Sequence, residues 1–370
     1  MYCSEKIVYQ SDYFCYCWGM FYTKVLRPIF FKFDPEFMHD FMVISGEVFG
    51  AFPPARWLIN LVWGYRGKDI SRIVDGIKYE RPVLLSAGFD TDGRLSRILP
   101  NISFGGEEVG SVTARPCDGN AKPRLTRLIR NNSLVVWKGL RNEGARKIAE
   151  RLAKKRTRPP AGGGFVVGIS IAQTNDEKVS DAESGLEDYY QTFKIMNESG
   201  VGDYYTINIS CPNTFGGETF STPELLTQLL TKLSTISCDK PRYIKMPINL
   251  AWDDFNALLK IIDTFGYDGV VIGNLNKKYS DLNFPEDAPS EWRGGLSGKP
   301  CFNLSNELIL RTREAYGERF TIIGVGGIFR AEDAMVKFRA GADLVQLITG
   351  MIFEGPSLVS KICNAYAKEF

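Results

Sequence analysis

The stretch YTINISCPNTFGG, residues 205 to 217, begins as an apolar run and then sets Ser210, Cys211, Asn213 and Thr214 side by side after Asn208. A thiol placed there has two readings. Unpaired cysteines mostly serve as small buried hydrophobes. A thiolate at a strand end, among amides and hydroxyls, is instead a nucleophile or general base. Lys245 sits inside another apolar run, RYIKMP, where an unpaired charge is costly. Either its ammonium escapes to solvent along the flexible stem, or it points inward and holds negative charge that develops on a bound ring. Asn208 and Asn274 each end an apolar run and offer amide donors and acceptors to a planar ligand.

These residues are positioned by a repeat of short apolar runs with helical patterns between them. The runs cover residues 82–88, 108–113, 164–171, 204–210, 242–247, 268–273, 320–327 and 342–350. They are continuous rather than alternating, as parallel strands covered on both faces are. The patterns between them are amphipathic. In STPELLTQLLTKL, Thr222 is the N-cap, Pro223 the first helical residue, and Leu225, Leu226, Leu229 and Leu233 form one stripe. Eight units over about 300 residues predict an α/β fold, a (β/α)8 TIM barrel with its site at the carboxyl ends of the strands. A doubly wound sheet is the alternative, and it gives no reason for eight units. In the barrel reading, the glycine turns GVGGI (324–328) and ITGM (348–351) follow runs seven and eight, where this architecture binds phosphate. DGIKYERP, ahead of the first run, predicts a short extra hairpin against the barrel floor.

Several function classes are disfavoured. His39 is the only histidine and falls in an N-terminal helical pattern, so Ser-His and Cys-His catalysis and histidine metal sites are excluded from the rest of the chain. The eight cysteines (Cys3, Cys15, Cys17, Cys117, Cys211, Cys238, Cys301 and Cys363) contain no C-x-x-C pair, against zinc and against a disulfide scaffold. No metal is expected, and a reducing, cytoplasmic setting fits. The net charge of +2 comes from basic and acidic residues spread along the chain, so no nucleic-acid footprint stands out.

The chain divides into residues 1–66, a helical segment, and residues 67–370, the barrel. In FDPEFMHDFMVISGEVFG, Asp34 is the N-cap and Pro35 the first helical residue, with Phe37, Phe41, Ile44 and Val48 on one face. Lys24, Arg27, Pro28 and Lys32 interrupt the aromatic stretch 13–33, so no membrane span is expected. Glu5, Tyr9 and Asp12 stand where a cleavable leader would be basic. Tyr13, Phe14, Tyr16, Trp18, Phe21 and Tyr22, followed by those cations, suit a helix on a bilayer surface; a lid packed on the barrel is the competing reading.

Taken in order, FDPEFMHDF, LLSAGFDTDG, VGSVTARPCDGNAKPRLTRL, INISCPNT, GGLSGKP, IIGVGGI and AGADLVQLITGMIFEGP resemble the dihydroorotate dehydrogenases over nearly the whole chain. The N-terminal helical segment and the VTARP...GNAKPRL string are similar to the quinone-linked, membrane-associated class. The resemblance implies a flavin mononucleotide (FMN) enzyme of pyrimidine synthesis that oxidises dihydroorotate to orotate and passes electrons to a quinone. It implies peripheral attachment to the cytoplasmic membrane through the N-terminal helices, which would also form the quinone tunnel. Ala87, Gly88, Ser111, Asn208, Lys245, Gly298, Gly327, Ile348 and Thr349 fall where the family holds the flavin. Asn208, Asn213 and Asn274 fall where it holds the pyrimidine, and Cys211 falls at the catalytic base. The implied chemistry is proton loss from carbon 5 to Cys211 and hydride transfer from carbon 6 to the flavin, with Lys245 stabilising the reduced ring.

Departures concentrate on the substrate side. The quinone-linked class has serine at the base, so Cys211 makes a mixed pattern. Thr91 stands where the family has a lysine that contacts flavin and substrate, Val136 where an asparagine binds the pyrimidine, and Leu140 where an aromatic residue is usual. Ser170 and Gly273 replace an asparagine and a threonine beside the flavin. Lys138, in the same altered loop as Val136, is the candidate to supply the missing charge to the substrate. Two other functions stand beside dihydroorotate oxidation: an FMN barrel acting on a different ring or enone, and a barrel kept for interaction alone.

Overall fold

The computed structural model describes residues 19–155, 164–179, 181–211, 213, 220–288 and 293–370. Tyr13, Phe14, Tyr16, Trp18, Cys3, Cys15, Cys17, Thr214 and the Gly216–Gly217 pair lie outside those residues.

Each of the eight apolar runs overlaps one strand of a closed parallel barrel: Val83–Leu85, Gly106–Val112, Val166–Ile171, Tyr204–Asn208, Arg242–Met246, Gly269–Ile272, Thr321–Val325 and Leu344–Leu347; the second strand starts two residues before its run. Consecutive strands pair in parallel, with one register irregularity between Val109 and Val112 of the second strand, and the eighth closes on the first with Val345 opposite Val83. Both strand faces are buried, so alternation sorts side chains by destination. On the fifth strand Ile244 and Met246 pack outward against the helices, whereas Tyr243 joins the apolar plug on the barrel axis and Lys245 lies above it.

Helices Ala145–Lys155, Ala182–Ser199, Pro223–Leu233, Trp252–Thr264, Phe302–Tyr316, Ala331–Arg339 and Ser357–Glu369 follow strands two to eight. After the first strand there is only the short turn Leu99–Ile102, against which the N-terminal helix Pro53–Trp63 and the last helix pack. In Pro223–Leu233, Thr222 Oγ1 accepts from Leu225 N at 3.5 Å as the cap expected there. The buried stripe is Leu226, Leu229, Leu230 and Leu233; Leu225 is only half-buried, because the helix is flanked on two sides by Ala182–Ser199 and Trp252–Thr264.

The hairpin ahead of the first strand is present as Arg72–Val74 and Ile77–Tyr79, turned by Asp75 and Gly76 at φ 49° and 76°. Positive φ at both central residues is the two-residue hairpin geometry. Its Val74 and Tyr79 pack with Leu84, Tyr204, Tyr243 and Ile323, and Tyr243 donates its hydroxyl to Asp75 Oδ2 at 2.6 Å. The floor of the barrel is thereby closed with apolar side chains, leaving the opposite end for polar ones.

Over that opposite end lies an antiparallel sheet that the sequence reading missed: Leu125–Leu128, Ser133–Val136 and Gly295–Gly298. The signal was present in LTRLIRNNSLVV, two short runs around a polar turn in which Asn132 adopts φ 46°.

The helix Pro35–Ala51 sits beside this sheet, and Pro53–Trp63 packs against that helix. Asp34 caps the first by accepting from Glu36 N and Phe37 N at 3.0 and 2.9 Å. Glu36, buried on its inner face, accepts from Arg124 at 3.0 Å, and Glu47 pairs with Arg94 at 2.9 Å. The face carrying Phe37, Phe41, Ile44 and Val48 points away from the barrel, each residue half or more exposed. No helix among the described residues is long and apolar enough to cross a membrane.

Candidate active site

The carboxyl ends of the strands open into a cavity of about 1270 Å³, mouth included. All the candidate site residues named from the sequence line it except Ser170, which reaches it through a hydrogen bond.

The fourth strand sets the centre. Asn208, its last residue, donates through Nδ2 to Ser111 Oγ at 2.9 Å, and Ser111 shares a 2.8 Å hydrogen bond with Ser170. Its Oδ1 accepts from Ser210 N and Oγ, both at 3.2 Å, and Tyr189 donates to its carbonyl at 2.6 Å. Strands two, three and four therefore hold one rigid polar shelf. Cys211 follows that shelf, half-buried and facing the cavity.

From the sixth strand end, Asn274 donates to Ser210 O at 2.7 Å and Ser210 Oγ at 2.6 Å, which fixes the loop before Cys211. Gly273 precedes it with φ 139° and lines the cavity. Asn213 donates through Nδ2 to Val136 O at 2.9 Å, while its buried Oδ1 has no partner among the described residues. An orphaned buried acceptor is costly, so this oxygen fits the N–H of a ligand. The Asn213 carbonyl is clamped by Asn120 Nδ2 at 3.0 Å, and Asn120 is in turn held by Asn175 at 2.9 Å. Neither asparagine was singled out from sequence, because both come from loops distant along the chain.

Lys245 resolves in favour of the inward reading. It is 5% exposed, reaches the cavity, and makes no hydrogen bond or ion pair among the described residues. Burial pushes its ammonium below the usual lysine range, while Glu108 and Cys211 pull the other way. Glu108, buried in the barrel, accepts through Oε2 from Thr206 and Gln346, each at 3.0 Å, and its Oε1 has no partner among the described residues. A carboxylate on the inward face of the second strand was not foreseen, because Glu107 and Glu108 stand together and their destinations depend on strand parity.

Two glycine loops close one end of the cavity. Gly326 and Gly327 adopt φ 109° and 75°, and a Cβ on Gly350 would lie 1.7 Å from the Ile328 carbonyl oxygen. The loops after strands seven and eight are thus in contact, as a shared phosphate cradle requires. Thr349 Oγ1 bonds Ser297 Oγ at 2.9 Å, and Gly298 and Ile348 flank the same end. Ala87 and Gly88 line the wall from the first strand, with Gly88 N donating to Gly110 O at 2.7 Å.

The end toward the N-terminal helices is where the substituted positions gather. Thr91, Val136, Leu140 and Lys138 line the cavity together with His39 and Arg141. Lys138 Nζ lies 3.4 Å from the Gly88 carbonyl, and burial lowers its pKa to about 8. His39 bonds Phe89 O through Nε2 at 2.8 Å, and burial followed by the nearby Lys138 charge pushes its imidazole down. Its role here, as a wall between helix and cavity, was not read from the sequence. Among the described residues no cluster of three or more His, Cys, Asp or Glu could hold a metal.

The arrangement brings together a half-buried thiol, a buried cation, an amide shelf and a glycine-lined end. The family model described as Dihydroorotate dehydrogenase matches residues 70–370. A relative from Synechococcus sp. (strain JA-3-3Ab), named dihydroorotate dehydrogenase (quinone), is 33% identical over 94% of this chain and 92% of its own. Another of that name, from Christiangramia forsetii, is 34% identical over 92% of this chain and 97% of its own. Among solved structures, the ligand-free type DHODH from Eimeria tenella superposes with a TM-score of 0.75 at 25% identity, covering 90% of this chain and 93% of that one.

Proposed function

From the geometry of this cavity and the fact that the chain belongs to the dihydroorotate dehydrogenase family, we propose that it oxidises dihydroorotate to orotate with FMN bound and passes the electrons to a quinone. The observation that carries the reading is the convergence of Cys211, Lys245 and Asn213 Oδ1, which has no partner among the described residues, on one cavity closed by the two glycine loops. The residues present fit FMN: the glycine loops suit its phosphate, and the buried Lys245 suits the ring edge where negative charge accumulates. When bound, FMN supplies the two-electron acceptor for the hydride leaving carbon 6.

The protein's own residues do the rest. Asn208, Asn213 and Asn274 orient the pyrimidine, with Asn213 Oδ1 accepting a ring N–H. Cys211 removes the proton from carbon 5 and returns it to solvent. Lys138 faces the substrate carboxylate in place of the lysine that Thr91 replaces, and Val136 contributes its backbone carbonyl, already bonded to Asn213. Lys245 holds the charge left by hydride transfer.

The exposed apolar face of the N-terminal helices supports peripheral attachment to a membrane. Phe37 at 57%, Val48 at 59%, Phe52 at 60% and Trp57 at 68% exposure are large apolar side chains left in solvent on these two helices, of the kind that lie in a lipid boundary. The cavity extends to His39 on the same helix, a route by which a lipid quinone reaches the flavin from the bilayer. The test is turnover with dihydroorotate and a short-chain quinone, followed by orotate absorbance. Orotate formation that requires both reactants is expected; flavin-loaded protein that forms none would overturn the reading in favour of another ring or enone substrate.

A further inference from the structure

Lys337, on the helix Ala331–Arg339, is 0% exposed and takes no part in the chemistry described above. Its ammonium donates to Ser305 Oγ at 2.5 Å and Asn306 Oδ1 at 2.8 Å, both neutral. It makes no ion pair among the described residues. The nearest carboxylate on its own helix, Asp333, is occupied by Phe329 N, Arg330 N and Lys299. A buried charge without a counter-ion is costly, and proteins keep one where something compensates it.

Its position says what compensates. The Lys337 stem lies 3.3 Å from where a Cβ on Gly324 would sit, at the end of the seventh strand. Ser305 Oγ, its hydrogen-bond acceptor, is 3.6 Å from the corresponding point on Gly326, and Phe302, whose ring lies 5.4 Å from the ammonium, backs Gly327. Lys337 is therefore directly behind the glycine loop that faces the cavity, separated from it by one layer of side chains. We propose that Lys337 is the buried counter-charge of the cofactor phosphate, acting through Ser305 and the Gly326–Gly327 loop, so that binding a phosphate-bearing flavin is coupled to protonation of this lysine. The inference rests on the FMN reading of the cavity.

The groups acting on the ammonium are Cys301, Asp333 and Lys299; with burial dominant, its pKa without a ligand is lowered to about 7. A dianion at the loop raises it. The sign follows: affinity is highest below the unliganded pKa, where the lysine is already charged. It falls as pH rises toward the liganded pKa, because binding must then take up a proton. The phosphate itself is a dianion above about pH 6 and contributes no slope there.

The test uses the full chain stripped of flavin and compares FMN with riboflavin, which lacks the phosphate, by fluorescence quenching from pH 7 to 9. Wild type should lose about tenfold in FMN affinity across that range, with riboflavin changing little. Lys337→Met should weaken FMN about tenfold at pH 7, flatten the pH profile, and leave riboflavin affinity unchanged. A merely structural lysine would weaken both flavins equally, and that result overturns the proposal. Should the variant not fold, calorimetry of the wild type at pH 8 in buffers of different ionisation enthalpy decides: proton uptake with FMN but not riboflavin supports it, and equal uptake refutes it. Protein that binds neither flavin would remove the FMN reading as well, whereas tight FMN binding without these differences removes only this inference.

Discussion

Replacing Lys245 with methionine keeps the apolar stem and removes only the charge. The ammonium is buried at 5% exposure, has no ion pair among the described residues, and reaches the cavity in which the proposed flavin would sit. At contact distance and an effective dielectric of about 20, one such interaction is worth about 4 kcal/mol, and loss of a comparable donor elsewhere costs about 3–4 kcal/mol. The rate constant for flavin reduction should therefore fall by about 10²–10³-fold. The fold should not suffer in proportion. Burying the ammonium carries its own desolvation cost, and Glu108, which loses a favourable neighbour, keeps Thr206 and Gln346 as donors. Anaerobic stopped-flow absorbance at saturating dihydroorotate reads the rate, and thermal unfolding reads the stability. A Lys245→Met protein that retains flavin and reduces it within about threefold of wild type would refute the assigned role.

Cys211→Ala should abolish substrate-driven reduction with flavin still bound, and Cys211→Ser should keep partial activity that rises with pH, since a hydroxyl has the higher pKa; normal rates in the alanine variant would remove Cys211 from the chemistry. Lys138 carries its charge below about pH 8 and loses it above, so orotate affinity should fall as pH rises through that value. In Lys138→Met the affinity should be lower and the profile flat, and an unchanged profile would contradict its placement on the substrate carboxylate. Removal of residues 1 to 65 should spare flavin reduction, cripple reoxidation by quinone and release the protein from liposomes, whereas equal quinone turnover would make the segment only a lid. Glu107 is fully buried, and burial, followed by the neighbouring Asp90 carboxyl, raises its pKa well above the ordinary value. Its contribution to stability is therefore present at low pH and lost as pH rises through the folded value, so Glu107→Gln should raise Tm more at pH 8 than at pH 5. A Tm gain independent of pH would contradict this.

The eight strands were legible because parallel barrel strands bury both faces and leave unbroken apolar runs, and glycine turns mark where two of them end. The base loop was legible because Cys211 and three asparagines are polar groups at strand ends. Lys245 was visible only as an alternative: a lysine in an apolar strand points to the axis or to the helices according to parity, and one residue decides it. The sheet over the mouth was missed because its strands are four residues each and its third member comes from a loop 159 residues after the second, from Ser133–Val136 at Val136 to Gly295. Asn120 and Asn175, the clamp on Asn213, were invisible for the same reason: their meeting is a product of long-range closure, not of local pattern. The helical stripe Phe37, Phe41, Ile44 and Val48 was correctly placed on one face, but periodicity cannot say whether such a face meets a core or a membrane.

Hydride transfer from dihydroorotate to flavin bound in this cavity is separable from reoxidation by quinone. Anaerobic mixing of the purified, flavin-loaded protein with dihydroorotate, with no quinone present, isolates that step. Loss of the oxidised-flavin absorbance with formation of one orotate per flavin is the predicted result. Unchanged absorbance in protein whose flavin a chemical reductant still bleaches would contradict the account.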